Sequence, residues 1–391
     1  MSEVGLNENI KVEGRTFHIQ TASDHINGLI RAEIFESGRL LNVLYKKYER
    51  RGDNQGPNSR IRKLVEHFHQ NVVNNISQIF DISQKVYENN DAFGHYRLGA
   101  IYFSLNLFDE SEKHLNEVLK LDRNLYFAYR YLIKLALKQK NLKKAVLYKN
   151  ELMNNFNIKF ADLYNVIGLT TFFEGATVNS IQYFKKAIEM NPNYLEAYVN
   201  LLYAFLESYL YIRDKISEDE FRKKHNFLLG IFNKLKKAYE FNVAQNRFHF
   251  FNIDEIEELL KVEDYELLRS ALRRYQEKFF SEEENYRILG YEIYVRIKYA
   301  LDKIDPQELQ FYQDQLEFIL KDHPEYYDLW NVLGLIYVVR TKNLFRESTD
   351  IIRHALEINE NYLSAKKNLR LVENDGRELI SVLNSMLNKK Y

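Results

Sequence analysis

The sequence predicts an all-α protein with a small β module at its N-terminus, and three observations support this fold class. The 391 residues include only 4 prolines and 14 glycines, which favours long helices. From Arg60 to the C-terminus the apolar residues follow a helical period almost without interruption. Within that part, short segments recur with the same residue types at the same spacing, which indicates an internal repeat.

The β module is predicted over residues 1–50. Residues 15–21 (RTFHIQT), 30–35 (IRAEIF) and 40–45 (LLNVLY) are short and rich in β-branched and aromatic residues. Gly38 lies between the second and third segments and can adopt the positive φ of a hairpin turn. We therefore expect a hairpin within a three-stranded module. Its function is either docking or dimerisation, or the module is a cap that shields the first helix from solvent.

Residues 51–90 are predicted to form a linker and a leading helix. The stretch 50–59 (RRGDNQGPNS) is rich in Gly, Pro and Asn, which is typical of a linker. Farther along, Ser217 and Asn252 each precede a glutamate by three residues, a pattern that starts helices. Asp305 followed by Pro306 is a similar start signal.

The internal repeat is clearest at four junctions between predicted helices. Each junction segment has Asn or Glu at its second position. Two residues that are each Tyr or Leu follow, and the sixth position is Ala or Leu. The four segments are 123–129 (RNLYFAY), 192–198 (PNYLEAY), 324–330 (PEYYDLW) and 360–366 (ENYLSAK). Because one helix pair cannot bury its apolar face alone, repeated pairs are expected to stack on each other.

This pattern resembles the tetratricopeptide repeat. The best match is 161–194, which carries Tyr164, Gly168, Ser180, Phe184 and Ala187 at the characteristic positions. Weaker matches are 92–125 and a unit that starts at 327, with two residues inserted near Lys342. The resemblance implies a right-handed superhelical solenoid of antiparallel helix pairs. It divides the chain into a first repeat block at 91–210, an irregular helical connector at 211–288, and a second block at 289–391 that ends in a capping helix.

The resemblance also implies a ligand groove lined by the first helix of each unit. The groove would have aromatic walls and basic residues inside, which suits an amphipathic or extended peptide with apolar anchors and some acidic character. The alternative is that several of the aromatic side chains only pack against neighbouring helices. The predicted groove residues are Phe93, Tyr96, Phe103, Phe127, Arg130, Lys134, Lys138, Asn165, Leu169, Phe172 and Phe173.

Composition argues against several classes of chemistry. Lys plus Arg and Asp plus Glu each number 55, so no strong net field would attract nucleic-acid phosphates. The absence of cysteine excludes thiolate catalysis and cysteine-ligated zinc. His67 and His69 are close in sequence, but residues two apart on a helix point in nearly opposite directions. With no catalytic motif present, we expect no cofactor, no metal site and no enzymatic activity.

We therefore predict a non-catalytic scaffold or adaptor that binds partner peptides or helices in its groove. The alternatives are an RNA-binding helical-repeat protein, or an assembly component of a bacterial pilus, secretion or chemosensory machine. No apolar run approaches the roughly 20 residues that span a bilayer, and the first nine residues do not resemble a secretory signal. A cytoplasmic location is expected. The partner, the oligomeric state and the continuity of the two repeat blocks stay open.

Overall fold

A computed structural model of the protein describes residues 4–24, 28–48, 57–243, 250–281, 285–322, 326–361 and 363–388. The strands are β1 (Gly5–Val12), β2 (Arg15–Asp24), β3 (Leu29–Glu36) and β4 (Arg39–Lys47). The first helices are α1 (Pro57–Asn89), α2 (Ala92–Ser104), α3 (Phe108–Leu121), α4 (Tyr129–Lys138), α5 (Leu142–Asn155), α6 (Ala161–Phe173), α7 (Thr177–Met190) and α8 (Leu195–Leu210). The remaining helices are α9 (Glu218–Val243), α10 (Ile253–Lys261), α11 (Tyr265–Ser281), α12 (Asn285–Tyr299), α13 (Pro306–Asp322), α14 (Tyr327–Ile358) and α15 (Leu363–Asn388).

The chain forms two compact units. Unit 1 contains Met1–Ser111, Arg287–Leu320 and Tyr326–Tyr391, so it joins the sheet, α1 and α2 to the C-terminal helices. Unit 2 contains Glu112–Tyr286 and Lys321–Glu325, which include α4 to α11. This division differs from the predicted order of two repeat blocks separated by a connector. Sequence periodicity could not reveal it, because helices far apart in the chain pack together in unit 1.

The N-terminal module is a four-stranded antiparallel sheet in the order β1-β2-β3-β4. The predicted hairpin is confirmed as β3 and β4, with Ser37 and Gly38 at positive φ in the turn. The prediction of three strands is wrong because β1 was missed. Its residues alternate between polar Asn7, Asn9 and Lys11 and a mixed inner face, so its apolar signal is weak.

One face of the sheet packs on α1. Phe17, Ile19 and Ile30 are fully buried on that face, and the Phe17 ring lies 5.8 Å from the ring of Phe80 on α1. Helix α1 begins at Pro57, earlier than the predicted start at Arg60, with proline in the first helical turn where its missing N–H costs nothing. Most of the predicted linker at 50–59 lies outside the described residues. The sheet therefore covers one side of α1, and docking, dimerisation and capping all stay predictions for the function of the module.

Helices α12 and α13 pack on α1 through a buried arginine. Arg296 is 4% exposed, and its guanidinium donates hydrogen bonds to Asn75 and Gln78 of α1 at 2.9 and 2.8 Å. It also forms an ion pair with Glu308 of α13 at 2.5 Å. A buried arginine with several acceptors fixes the relative position of three helices, since each lost acceptor would leave a buried donor unsatisfied.

The predicted repeat unit that starts at 327 is not a helix pair. Helix α14 is continuous over 32 residues and passes through the position at which the unit was expected to turn. In the other units the turn after the first helix has a residue with positive φ, namely Asn106, Lys140 or Gly175. The equivalent residue, seven positions after Gly334, is Thr341, and a β-branched residue rarely adopts positive φ.

Unit 2 contains the regular helix pairs α4–α5 and α6–α7. Gly168 of α6 lies against Phe184 of α7, and a Cβ atom at Gly168 would lie 2.5 Å from that ring. Ser180 and Ala187 are fully buried between helices. These small residues permit the close helix crossing that the repeat pattern predicts.

The predicted connector at 211–288 contains α9, α10 and α11. They share one hydrophobic core with α6, α7 and α8, and this core includes Phe184, Leu202, Leu235, Leu268 and Tyr275. Asn242 of α9 donates a hydrogen bond to the carbonyl oxygen of Asn193 at 2.9 Å. The connector is therefore a packed part of unit 2.

Candidate protein-binding face of unit 2

The candidate site lies on the first helices of the repeat units in unit 2, which are α4, α6 and α8. We call the side of these helices that carries Arg130, Lys134, Asn165 and Asn200 the inner face. Helix α11 packs on α8 and reaches this face: Gln276 donates to the side-chain oxygen of Asn200 at 2.9 Å. The inner face is therefore partly covered by a helix of the same chain.

A chain of hydrogen bonds connects polar side chains on the inner face. Asn200 donates to the side-chain oxygen of Asn165 at 2.9 Å, and Asn165 donates to the Tyr194 hydroxyl oxygen at 3.2 Å. The Tyr194 hydroxyl in turn donates to Glu196 at 3.1 Å. Asn165 and Asn200 have no exposed surface. Because each buried amide has partners, the network fixes the relative positions of α6, α8 and α11.

Charged side chains lie beside this network. Arg130 of α4 lies 3.4 Å from Asp162 of α6, and the Arg130 side chain is only 12% exposed. Lys134 is 2% exposed, with its Nζ atom 5.1 Å from the ring centroid of Phe280 on α11. Burial raises the pKa of the Glu196 carboxyl, although the positive charges of Lys134 and Arg130 oppose that shift. Basic and acidic side chains therefore lie close together at the centre of the inner face.

Three predicted groove residues in unit 2 have almost no surface for a partner. Lys134 and Asn165 belong to the covered centre of the inner face, and Leu169 is 1% exposed within the hydrophobic core. These residues are covered because α11 occupies the position where an external peptide was expected. Sequence could not predict this packing, since α11 lies more than a hundred residues after α4.

An aromatic patch, which we call the amino-end patch, lies where α4 and α6 begin. Phe160 is 43% exposed, and its ring lies 6.0 Å from Phe127 and 5.7 Å from Tyr126. The Tyr126 ring stacks on Phe156 at 5.0 Å. Of these residues only Phe127 was predicted as a groove residue. Phe160 was missed because it precedes the helix, where the repeat pattern defines no ligand position.

A second patch, which we call the carboxyl-end patch, lies where α4 and α6 end. Phe173 is 48% exposed and packs edge to face on Phe172 at 5.8 Å. Phe172 also contacts the ring of Tyr203 on α8 at 5.3 Å. Lys138, in the last turn of α4, is partly exposed. Predicted residues Lys138, Phe172 and Phe173 therefore keep surface available to a partner.

The other predicted groove residues belong to α2 in unit 1. Phe93 and Tyr96 are partly exposed, and Tyr96 packs edge to face on Tyr291 of α12 at 6.0 Å. Phe103 is fully buried and contacts Phe108. Phe103 is thus a core residue, in agreement with the alternative that some aromatic side chains only pack against neighbouring helices.

The polar residues that sequence reasoning missed are Glu196, Asn200 and Gln276. Asn165 and Asn200 are the fifth residue of α6 and the sixth residue of α8, so the repeat did not mark them as equivalent positions. Gln276 gave no sequence signal either, because α11 does not match the repeat pattern.

In the part of the chain that the structure describes, no group of three or more His, Asp or Glu side chains is placed to hold a metal ion. His69 is buried and contacts Thr21 at 2.9 Å, whereas His67 is exposed on the other side of α1. The two histidines therefore point apart, as their spacing predicts.

None of the helices in the described residues has the length and apolar character that crossing a membrane requires.

The comparisons with known proteins concern the repeat. The sequence profile of the tetratricopeptide repeat matches residues 94–125 and 161–194. A crystal structure of YrrB, described as a tetratricopeptide-repeat protein with an unusual peptide-binding site, is 14% identical with a TM-score of 0.34 over 56% of this chain and 94% of that chain. The tetratricopeptide-repeat domain of P58(IPK) is 14% identical with a TM-score of 0.22 over 76% of this chain and 83% of that chain. A comparison with curated protein sequences finds no match.

The second profile match coincides with the pair α6–α7, in which Gly168 lies against Phe184. The first match covers α3 and most of α2. Tetratricopeptide repeats are therefore assigned at residues 94–125 and 161–194.

Proposed function

We propose that the protein is a non-catalytic scaffold that binds a segment of a partner protein at the two aromatic patches of unit 2. Tetratricopeptide repeats support an interaction scaffold in general terms. The proposal includes the right-handed superhelical stacking that is expected of this repeat. The observation that carries it is the exposure of Phe160 and Phe173 at opposite ends of the same pair of first helices.

Exposed aromatic side chains next to basic ones favour a particular kind of ligand. Aromatic residues provide large contact area at low cost in conformational entropy, and they are frequent among the residues that dominate binding energy. Arg130 lies in the first turn of α4, at the end of the helix that carries the amino-end patch. Lys138 lies in its last turn, at the end that carries the carboxyl-end patch. A partner segment with apolar side chains for the patches and acidic side chains near α4 therefore fits the surface best.

A location in the cytoplasm and a prokaryotic source are further parts of this proposal.

The covered centre of the inner face sets the geometry of binding. Since Phe280 lies over Lys134, a ligand cannot contact Lys134 or Asn165 without moving α11. The proposed ligand contacts the patches instead, and α11 stays in place. Substitution of the buried network residues would disturb folding of unit 2 and is unsuitable as a test of binding.

The test is a pull-down from lysate of the source organism, followed by affinity measurement with the purified partner. One variant combines Phe173→Ala with Lys138→Glu, and the other combines Phe127→Ala with Phe160→Ala. The matched control combines Tyr211→Ala, an aromatic residue that is 79% exposed elsewhere in unit 2, with Lys186→Glu. Circular dichroism first establishes that all variants are folded.

We expect at least one patch variant to weaken partner binding by about tenfold to a hundredfold, as is usual when anchor residues are truncated. The control variant should bind as the native chain does. Equal binding by all variants would contradict the proposal and would move the site to unit 1 or to another surface of unit 2.

A further inference from the structure

Helix α14 exposes a face that is buried in the closed repeat unit 161–194. In the closed unit, Gly168, Ser180, Phe184 and Ala187 are all buried between α6 and α7. The residues at the same positions of the repeat pattern in α14 are exposed or only partly buried. These residues are Gly334, Ser348, Ile352 and Ala355.

The contrast at the two glycines is the sharpest. A Cβ atom at Gly168 would meet the Phe184 ring at 2.5 Å, whereas a Cβ atom at Gly334 would have no atom within 4 Å. The repeat pattern pairs Gly334 with Ile352, but the two residues lie 18 positions apart on one helix, which is about 27 Å. Within one chain, no apolar side chain packs against Gly334 in the way that Phe184 packs against Gly168.

We propose that this face of α14 packs against the same face of a second copy of the chain. The two helices form an antiparallel pair with two-fold symmetry. Eighteen residues make five helical turns, so Gly334 and Ile352 point in the same direction from α14. In an antiparallel pair centred near Asn343, Gly334 of each copy meets Ile352 of the other. This inference goes beyond the proposed function, because it concerns a different surface and a different partner.

The chain itself identifies the occupant. Each half of α14 carries the residues that the other half requires, so a second copy supplies both halves at once, as an isologous interface demands. Thr341 at the turn position disfavours the closed form, because a β-branched residue rarely adopts positive φ. Its hydroxyl donates instead to the carbonyl oxygen of Tyr337 at 2.9 Å within the helix. An opened hinge that becomes a continuous helix is a common route to the exchange of helices between two copies.

Exposed apolar side chains on α14 provide surface for contact with a second copy. Five large side chains on α14 are between 47% and 77% exposed, and they recur every seven residues. Ten such side chains from two copies expose on the order of 1,000 Å², which is the lower limit for a specific interface. The five residues are Trp330, Tyr337, Leu344, Ile351 and Ile358.

The experiment uses the absence of cysteine in the native chain. Two single variants, Gly334→Cys and Ile352→Cys, are mixed at equal concentration under mild oxidation and separated on a non-reducing gel. A disulfide needs Cα atoms about 5.5 Å apart, so a covalent dimer forms efficiently only if these positions meet between chains. Glu189→Cys, on an exposed position of α7, is the control for random collision.

We expect the mixture to form covalent dimer at least tenfold faster than the control. The double variant that carries both substitutions should also give covalent dimer. An internal disulfide in the double variant would overturn the proposal, because it would show that one chain closes its own helix pair. A rate equal to that of the control, together with a monomeric mass in analytical ultracentrifugation, would overturn it as well.

A second variant tests the hinge independently of cross-linking. Thr341→Gly permits the positive φ of the missing turn, as Gly175 does at the same position of the closed unit. We expect it to raise the dimer dissociation constant at least fivefold in sedimentation experiments, since the closed monomer becomes accessible. An unchanged dissociation constant would contradict the role given to Thr341.

Discussion

Residues 161–194 and 327–358 carry the same repeat pattern and adopt different structures. The first segment folds into two helices that bury Gly168 against Phe184, and the second is a single helix with Gly334 exposed. The difference lies in the turn. Gly175 has a φ of +85° between α6 and α7, whereas α14 has Thr341 at the equivalent position and two additional residues after it. Packing residues alone therefore do not make a helix pair; the chain must also be able to turn.

The largest expected difference between the two segments concerns their apolar anchors. Phe184→Ala should lower the free energy of unfolding by about 3–5 kcal/mol, because it leaves a cavity against Gly168. Ile352→Ala should cost about 1 kcal/mol or less in the monomer, since Ile352 is only partly buried. Urea unfolding followed by circular dichroism, at a concentration that dissociates any dimer, measures both. Similar losses would mean that α14 is closed in solution.

The two glycines should respond to alanine with opposite signs. Gly168→Ala places a methyl group against the Phe184 ring, and such overpacking costs about 1–3 kcal/mol. Gly334→Ala meets open space in the monomer and should stabilise α14 by about 0.8 kcal/mol through helix propensity. Thermal unfolding of dilute samples gives the sign in each case. A destabilising effect of Gly334→Ala under these conditions would indicate that a side chain covers Gly334 within the monomer.

The turn residues form the next pair. Gly175→Ala should destabilise unit 2 by about 1 kcal/mol, because alanine at positive φ is strained. Thr341→Ala should instead stabilise α14 by a few tenths of a kcal/mol, since threonine is the poorer helix former. The same urea experiment compares them. Equal destabilisation by both substitutions would place Thr341 in a turn.

The smallest expected effect depends on pH and concerns the covered inner face of unit 2. Burial raises the pKa of Glu196 in the folded chain above its unfolded value. Its stabilising contribution is therefore complete below the unfolded pKa and is lost as the pH rises toward the folded pKa. We expect Glu196→Gln to increase stability more at pH 8 than at pH 4. A larger gain at pH 4 would show that Glu196 is ionised and well paired in the folded state.

Sequence reasoning could predict the features that depend on local chemistry. The helical class, the hairpin at Gly38 and the close crossing at Gly168 follow from periodicity, turn residues and small residues at repeat spacing. The missed features depend on contacts between distant segments. The division into two units, the cover of α11 over Lys134, and the joining of α1 to α12 by Arg296 have no local signature.

The groove prediction shows the same limit at the level of single residues. Phe173 at the end of α6 and Phe127 in the 3-10 turn before α4 both keep exposed surface. Position in the repeat could not distinguish them from Phe103 and Leu169, which are buried by packing that the pattern does not encode. The turn that was wrongly predicted near Thr341 is different, because the β-branched residue at that position was a visible signal against a turn.

The most direct test of the contrast between the two segments is the distance between two spin labels on one chain. Labels at Asn331→Cys and Glu357→Cys lie on exposed positions of α14, 26 residues apart, and should be separated by about 39 Å in a continuous helix. The matched pair Tyr164→Cys and Glu189→Cys on α6 and α7 should be separated by little more than the roughly 10 Å between packed helices. Pulsed electron resonance, with labelled chains diluted in unlabelled protein, reports the distance within one chain. A long distance for the first pair and a short one for the second would confirm the contrast, and a short distance for both would contradict it.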